Sequence, residues 1–389
     1  MVVQMQFVTQ KYTKGCKYMN TFKEAKKNFG FGCMRLPMLE NGEVDTVEFS
    51  KMVDAFIGAG FNYFDTAHGY LNGKSETALR TSLTSRYPRD AYILTNKLSG
   101  NHFEKEEDIR PLFQSQLEAC GVDYFDFYLM HAQNKKNFEQ YKSARAYETA
   151  LELKKEGKIR HLGISFHDSA DVLDMILSSY PQVEIVQIQF NYIDYEDEGV
   201  QSRKCYDVCR KHNKPIIVME PVKGGSLVSL PEDAGAILDS LGGGSYASYA
   251  IRYAASFDGI EMVLSGMGNM DMINDNISYM QDFKPLDEKE HEAIDKVVKI
   301  IRSRPLIACT DCKYCTERCP QNIPIPQLFA CMNDHTKLNL WRANYLYNKY
   351  TAEGGRANEC IECGACESAC PQKLPIRDLL KAVSAQFDK

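Results

Sequence analysis

A closed (β/α)₈ barrel followed by a small, mainly helical, cysteine-rich domain is the α/β fold that this sequence predicts, on three observations. Eight short β-rich runs recur along the chain before residue 270, with amphipathic stretches between them. Strand–helix alternation implies a parallel sheet, and eight such units are the number that closes a barrel. The rival doubly wound open sheet needs a Gly-rich phosphate loop after its first strand, and none is present. Eight of the 14 cysteines crowd into two short runs near the C-terminus, which sets that end apart.

The strand runs are GFGCMRL (30–36), FNYFDTA (61–67), YILTNKL (92–98), YFDFYLMHA (124–132), IRHLGISF (159–166), EIVQIQFN (184–191), PIIVMEP (215–221) and MVLSGM (262–267). Helices are expected between them, as in TVEFSKMVDAFIGAG (46–60) and DIRPLFQSQLEACG (108–121). In the second, Ile109, Leu112, Phe113, Gln116, Leu117 and Cys120 recur at i, i+3, i+4 spacing, apolar apart from Gln116. Gly60 and Gly121 stand where helix C-caps are expected. Residues 282–308 read as a charged helical connector, LNLWRANYLYNKY (338–350) as an aromatic-rich helix, and EGGRAN (353–358) as flexible. The expected boundaries are an N-terminal extension at 1–27, a barrel at 28–285 and a second domain at 286–389, with no repeat beyond the two cysteine runs. Met19 makes residues 1–18 either a disordered extension or sequence upstream of the true start.

A formal charge of −6, from 46 basic and 52 acidic residues, comes with no basic stripe and argues against nucleic acid. No apolar stretch approaches the roughly 20 residues of a membrane span. The N-terminus lacks a secretory apolar core. Disulfide-stapled secreted domains are short and core-poor, whereas this chain has 389 residues. A cytoplasmic protein with metal-binding cysteines is expected.

The two cysteine runs are CTDCKYCTERCP (309–320) and CIECGACESACP (360–371). Each has three Cys at intervals of three, a fourth four residues on, then Pro. They match the bacterial two-cluster ferredoxin run, in which the fourth Cys ligates the other cluster. One [4Fe–4S] cluster is therefore expected on Cys309, Cys312, Cys315 and Cys370, and another on Cys360, Cys363, Cys366 and Cys319. A pair of zinc sites is the alternative, but zinc motifs use two CxxC pairs rather than CxxCxxC.

The barrel runs carry polar residues at their C-terminal ends. Asp65 closes the second run in FDTAHGY, with Tyr70 five residues on; Lys97 closes the third in LTNK, and His131 the fourth in YLMH. Such positions meet at one mouth of a (β/α)₈ barrel. A Tyr hydroxyl has an ordinary pKa of about 10, too high for an efficient acid near neutrality. An adjacent Lys ammonium is expected to stabilise the phenolate and lower that value. Asp65 would hold Lys97 charged and oriented, and a neutral His131 would donate a hydrogen bond to a substrate carbonyl. Over about residues 28–280 the chain resembles the aldo-keto reductase family, with Asp65, Tyr70, Lys97 and His131 matching its tetrad residue by residue. The whole chain resembles the branch of that family with a C-terminal ferredoxin-type domain.

The resemblance implies a small carbonyl substrate and a nicotinamide nucleotide. Its cofactor-binding positions here are Gly32, Cys33, Met34, Ser165, Gln187, Met219, Pro221, Ser265, Gly266, Met267, Asp275 and Asn276. Ser165 and Gln187 would meet the nicotinamide amide, but the family's usual Ser-Asn is Ser165-Phe166 here, and Met219 replaces the usual aromatic ring. The cation expected for a 2′-phosphate is missing from Gly266, Gly268 and Met272, so NADH is expected to bind at least as tightly as NADPH. Three readings of the whole chain compete. The barrel reduces a carbonyl with NAD(P)H while the clusters are structural or redox-sensing. A flavin, or a redox partner such as ferredoxin, couples the barrel mouth to the clusters. The protein is an electron-transfer module with a vestigial barrel. The substrate is not legible, because loops such as 131–147 line its pocket.

Overall fold

The computed structural model of the protein describes residues 22–388, apart from 305, 308, 310–312, 339, 340, 353, 371 and 372. The expected extension at 1–18 lies outside them. All eight strands form: β1 Phe29–Gly32, β2 Tyr63–Asp65, β3 Ile93–Leu98, β4 Phe125–Gln133, β5 Ile159–Phe166, β6 Ile185–Gln189, β7 Ile216–Met219 and β8 Ile260–Gly266. Each pairs in parallel with the next, and β8 pairs with β1 to close the barrel. The expected helices are Thr46–Gly58 and Glu106–Cys120, with Gly121 in the left-handed cap position at φ 66° and Gly60 at φ 89°. The connector contributes the helix Glu288–Ser303. No helix among the described residues is long and apolar enough to cross a membrane.

The barrel interior is filled by Tyr63, Ile93, Phe127, Leu129, Ile185, Ile217, Met262 and Leu264. These bulky side chains fit because Gly163 has none. A Cβ there would lie 2.5 Å from Leu129 Cδ2 and 2.6 Å from Ile185 Cγ2. Phe22 joins the same core, its ring 4.9 Å from Phe127 and 4.7 Å from His161. Just before β2, Asn62 accepts from Lys26 N and donates to Glu24 O. Residues 22–26, expected to belong to an extension, therefore plug the N-terminal end of the barrel. Outside the sheet, Phe56 packs on Phe29, Phe31, Phe61 and Phe64 at 4.9–6.0 Å between ring centroids. This layer fastens the helix Thr46–Gly58 to β1 and β2.

The chain divides into two compact units, and the division is not contiguous. The first is residues 1–222 with 247–288; the second is 223–246 with 289–389. Inside the second unit, Arg304 pairs with Asp233 at 2.6 Å.

The second unit holds a structural duplication that runs past the cysteine runs. Helix Tyr314–Glu317 in the first run answers Ala365–Ala369 in the second, and Ile325–Leu338 answers Ile376–Phe387. Lys313 and Gly364 both take positive φ, 67° and 75°, as do Asn322 and Lys373. The turns repeat bond for bond: Cys319 N to Thr316 O and Cys370 N to Glu367 O, then Asn322 N to Cys319 O and Lys373 N to Cys370 O. The sequence carries this as CPQNIPIPQL (319–328) against CPQKLPIRDL (370–379). The expectation of no repeat beyond the runs is corrected accordingly. EGGRAN is also not loose where it is described. A Cβ at Gly355 would lie 2.3 Å from Gln321 O, and Ala357 N donates to Tyr347 Oη at 3.0 Å.

Replacing Phe56, fully buried at 0% exposure, by Ala removes one ring from four contacts. The expected loss is about 3–5 kcal/mol, read as a lowered midpoint in thermal or denaturant unfolding.

Candidate active site and cluster site

The register that closes the barrel brings the polar strand ends together. Gly32 pairs with Asp65 and with Gly266, Lys97 with Leu129, and Ser165 with Gln187. Lys97 is fully buried. Its Nζ lies 2.5 Å from Asp65 Oδ1 and 2.8 Å from Thr66 O. It also faces Tyr70, lying 5.0 Å from the ring centroid. The Tyr70 and His131 rings meet edge to face at 5.9 Å. The four predicted groups thus converge on one mouth.

The electrostatics are those of a dry site. Burial works to lower the Lys97 pKa, but Asp65 and Tyr70 outweigh it and hold the ammonium above its ordinary value. Burial also pushes Asp65 up, against the pull of Lys97 and Gln187. For Tyr70 the sequence expectation needs correcting. Lys97 does pull its pKa down, but burial is the larger effect and the hydroxyl ends above its usual value. Tyr70 stays protonated, ready to give a proton only when negative charge develops beside it. Burial, with Lys97 nearby, drives His131 down to about 3, so its imidazole is neutral.

His131 sits at an irregularity in β4. The pairing with β5 shifts between Met130 and Gln133, and Ala132 takes φ 51°. A bulge of this kind re-aims a side chain. Ser165 holds the bulge by accepting from Ala132 N at 2.8 Å, and Ser99 Oγ lies 2.7 Å from His131 Nδ1.

The expected nucleotide positions are placed unevenly. Gln187 is buried and donates to Asp65 Oδ2 at 3.2 Å, which makes it the second anchor of the ion pair. Met267 is fully buried. Asn276 donates to Ser265 Oγ at 2.9 Å and accepts from the Tyr279 hydroxyl. Cys33 lies buried beside Asp65, its thiol pushed up by burial and by that carboxylate. Met34 is exposed, Met219 half-buried and Pro221 buried; Gly32 and Asp275 are partly exposed. Behind Lys97, its backbone N–H donates to Asn96 Oδ1, while Gln116 donates to Asn96 Oδ1 and to Lys97 O. Tyr128 donates to Gln116 Oε1. Gln116 was the one polar residue on an apolar helical face, and that was the available signal.

Sequence reasoning missed Arg35. Its side chain lies along Gly266, with Nη1 3.8 Å from where a Cβ would stand. The expected preference for NADH rested on the lack of a cation at Gly266, Gly268 and Met272. Arg35 brings one to Gly266 from another loop.

In the second unit, Cys319, Cys360, Cys363 and Cys366 line one cavity with Ile323, Ile325, Ile361 and Leu380. Three come from the second run and the fourth from the first. Cys312 lies outside the described residues. Cys309, Cys319, Cys360 and Cys370 are partly exposed and Cys315 and Cys366 buried. No three His, Cys, Asp or Glu among the described residues stand close enough to hold one metal ion. A single zinc needs sulfurs about 2.3 Å from one point; a cubane spreads its ligands more widely. His68, His102, His161 and His167 pair locally, His68 with Glu76 at 2.9 Å and His161 with Glu184 at 3.2 Å.

Residues 28–299 match the model of the aldo/keto reductase family, and residues 308–374 match that of a 4Fe-4S dicluster domain. The chain is 27% identical over 207 residues to the NADH-specific methylglyoxal reductase of Escherichia coli (strain K12), covering 48% of this chain and 60% of that reductase's length. It is 23% identical over 305 residues to the uncharacterized oxidoreductase YqkF of Bacillus subtilis (strain 168), covering 69% of this chain and 92% of that protein. An aldo-keto reductase from Klebsiella pneumoniae, solved with NADPH, superimposes with a TM-score of 0.58 at 17% identity, covering 70% of this chain and 90% of that one, and shares the fold.

The His131 environment sets a pH signature. Its folded pKa, about 3, lies below the ordinary value of about 6.5. The unfolded chain therefore binds the extra proton first. The stability His131 contributes is complete above pH ~6.5 and is lost as pH falls toward 3. In ¹⁵N-histidine spectra its ring is expected to stay neutral down to about pH 4. A His131 titration near 6.5 would contradict the site as described.

Proposed function

The chain belongs to the aldo/keto reductase family, and from that premise we propose that its barrel reduces a small carbonyl substrate, or runs the reverse oxidation, with Tyr70 as general acid. The observation that carries this reading is the convergence of Tyr70, His131 and the buried Lys97–Asp65 pair on one mouth. A nicotinamide nucleotide, when bound, supplies the hydride that a carbonyl carbon accepts. The residues of this chain handle the oxygen. Its developing charge draws the proton from the Tyr70 hydroxyl, and the Lys97 ammonium stabilises the phenolate left behind. His131, neutral, offers an N–H to the same oxygen without competing as an acid. Asp65 keeps Lys97 charged inside a dry pocket, where each of these interactions is stronger than in water.

Ser165 fits a nucleotide amide, because its oxygen accepts from Ala132 and its hydroxyl hydrogen is left to donate. Gly266 and the exposed Met34 leave room at the nucleotide's other end, with Arg35 as the cation. Two [4Fe–4S] clusters complete the protein, one held by Cys360, Cys363, Cys366 and Cys319, the other by Cys309, Cys312, Cys315 and Cys370. Such clusters, when bound, pass one electron at a time. A second reading, in which a flavin or a ferredoxin partner feeds electrons to the mouth, draws support from Gln187. Its amide is committed to Asp65 rather than left for a nicotinamide.

Anaerobically purified protein, assayed with methylglyoxal and NADH or NADPH, tests the first reading. Tyr70→Phe is expected to lower turnover by roughly 100-fold or more, and Lys97→Met to act similarly. Full turnover in both would transfer the weight to electron transfer, as would a flavin absorbance spectrum with no nucleotide binding.

The cluster assignment has its own check. Cys319→Ser is expected to cost the cluster of the second run while the first keeps its own, about four irons and four labile sulfides of eight. Loss confined to the first run would reverse the assignment.

A further inference from the structure

Ser99 lies just past the end of β3, two residues beyond Lys97, and is 4% exposed. Its hydroxyl makes one hydrogen bond among the described residues, to His131 Nδ1 at 2.7 Å. A hydroxyl carries one hydrogen and two lone pairs. Buried, that hydrogen needs an acceptor, and leaving it without one costs more than the bond is worth in water. The acceptor within reach is Nδ1. A neutral imidazole has one N–H and one bare nitrogen, so a bare Nδ1 puts the proton on Nε2.

We propose that Ser99 is a positioning residue that fixes His131 in the Nε2–H tautomer, with its one N–H turned toward Tyr70 and the substrate oxygen. The proposal rests on the carbonyl-reduction reading of the mouth. In the opposite tautomer, the bare Nε2 would face the substrate oxygen lone pair to lone pair. It would also invite the Tyr70 hydroxyl to donate to it, taking the general acid out of use. The low pKa of His131 excludes the doubly protonated ring at working pH, so the choice lies between two neutral forms. The β4 bulge aims the ring and Ser99 chooses its proton. Ser165 holds the bulge from the other side, through Ala132 N.

The test uses the full chain, purified with its clusters and labelled with ¹⁵N-histidine. Two-bond ¹⁵N–¹H spectra distinguish the tautomers directly, with His131→Gln locating the signal. Wild type is expected to give the Nε2–H pattern. Ser99→Ala is expected to mix the two forms and to lower kcat with methylglyoxal by roughly tenfold, with KM changed less than about threefold. Ser99→Thr keeps the hydroxyl and is expected to restore both the pattern and kcat. An unchanged His131 pattern in Ser99→Ala overturns the proposal, as does a Thr variant that falls as far as Ala. Failure of the carbonyl-reduction reading shows separately, as wild type without turnover. The tautomer spectra then still decide the role of Ser99.

Discussion

The buried ion pair between Lys97 and Asp65 is the constraint that the rest of the barrel mouth satisfies. An ammonium taken out of water costs several kcal/mol unless it is paired and hydrogen-bonded. Lys97 meets that demand with Asp65 Oδ1 and Thr66 O, and lies over the Tyr70 ring. Asp65 passes its second oxygen to Gln187, across the barrel on β6. The ion pair thus joins β2, β3 and β6, and the network of Asn96, Gln116 and Tyr128 holds the Lys97 backbone from behind. Removing one partner would leave the other charge buried and bare, at a cost of about 3–5 kcal/mol. The arrangement of the mouth and its local stability are therefore set by the same bonds.

That coupling explains what was legible in the sequence and what was not. The eight strands are legible because each is a short β-rich run between amphipathic helices. Asp65, Lys97 and His131 are legible because each closes such a run, and the parallel fold sends all run ends to one face. Gln187, Ser99 and Arg35 were given other roles or none, because their partners are set by barrel closure rather than by neighbours in sequence. Nothing in LSGNH says that Ser99 faces a histidine on the next strand. The pull of burial on Tyr70 was invisible too, since it depends on how tightly the mouth closes around the ring. The duplication is different: CPQNIPIPQL and CPQKLPIRDL stand in the sequence in plain form, continuing the likeness past the cysteines.

The β4 bulge shows how little backbone change a site needs. Ala132 at φ 51° accepts a conformation that a non-glycine residue adopts at some cost. In return the ring of His131 leaves the pleat and turns toward Tyr70. Ser165 and Ser99 then stabilise the result from β5 and from the end of β3. Ser165 holds the bulge by accepting from Ala132 N, which uses its oxygen and not its hydroxyl hydrogen. A residue that could only donate would leave Ala132 N unsatisfied.

The second unit is governed by the same logic of shared ligands. Its two halves repeat in turn, helix and capping bond, yet the cavity lined by the second run's cysteines is completed by Cys319 from the first. Each half carries four thiols, but this cavity takes three from one half and one from the other. A cluster that draws on both halves ties them together, so metal binding and folding are linked. The helices Ile325–Leu338 and Ile376–Phe387 also pack directly on one another, through His335 and Phe387 at 5.7 Å. Protein packing therefore fixes the halves relative to each other, and the cysteines are brought to the cavity by chain geometry. Four residues past the third Cys, after a helical turn, the chain has already brought Cys319 to the cavity of the neighbouring half.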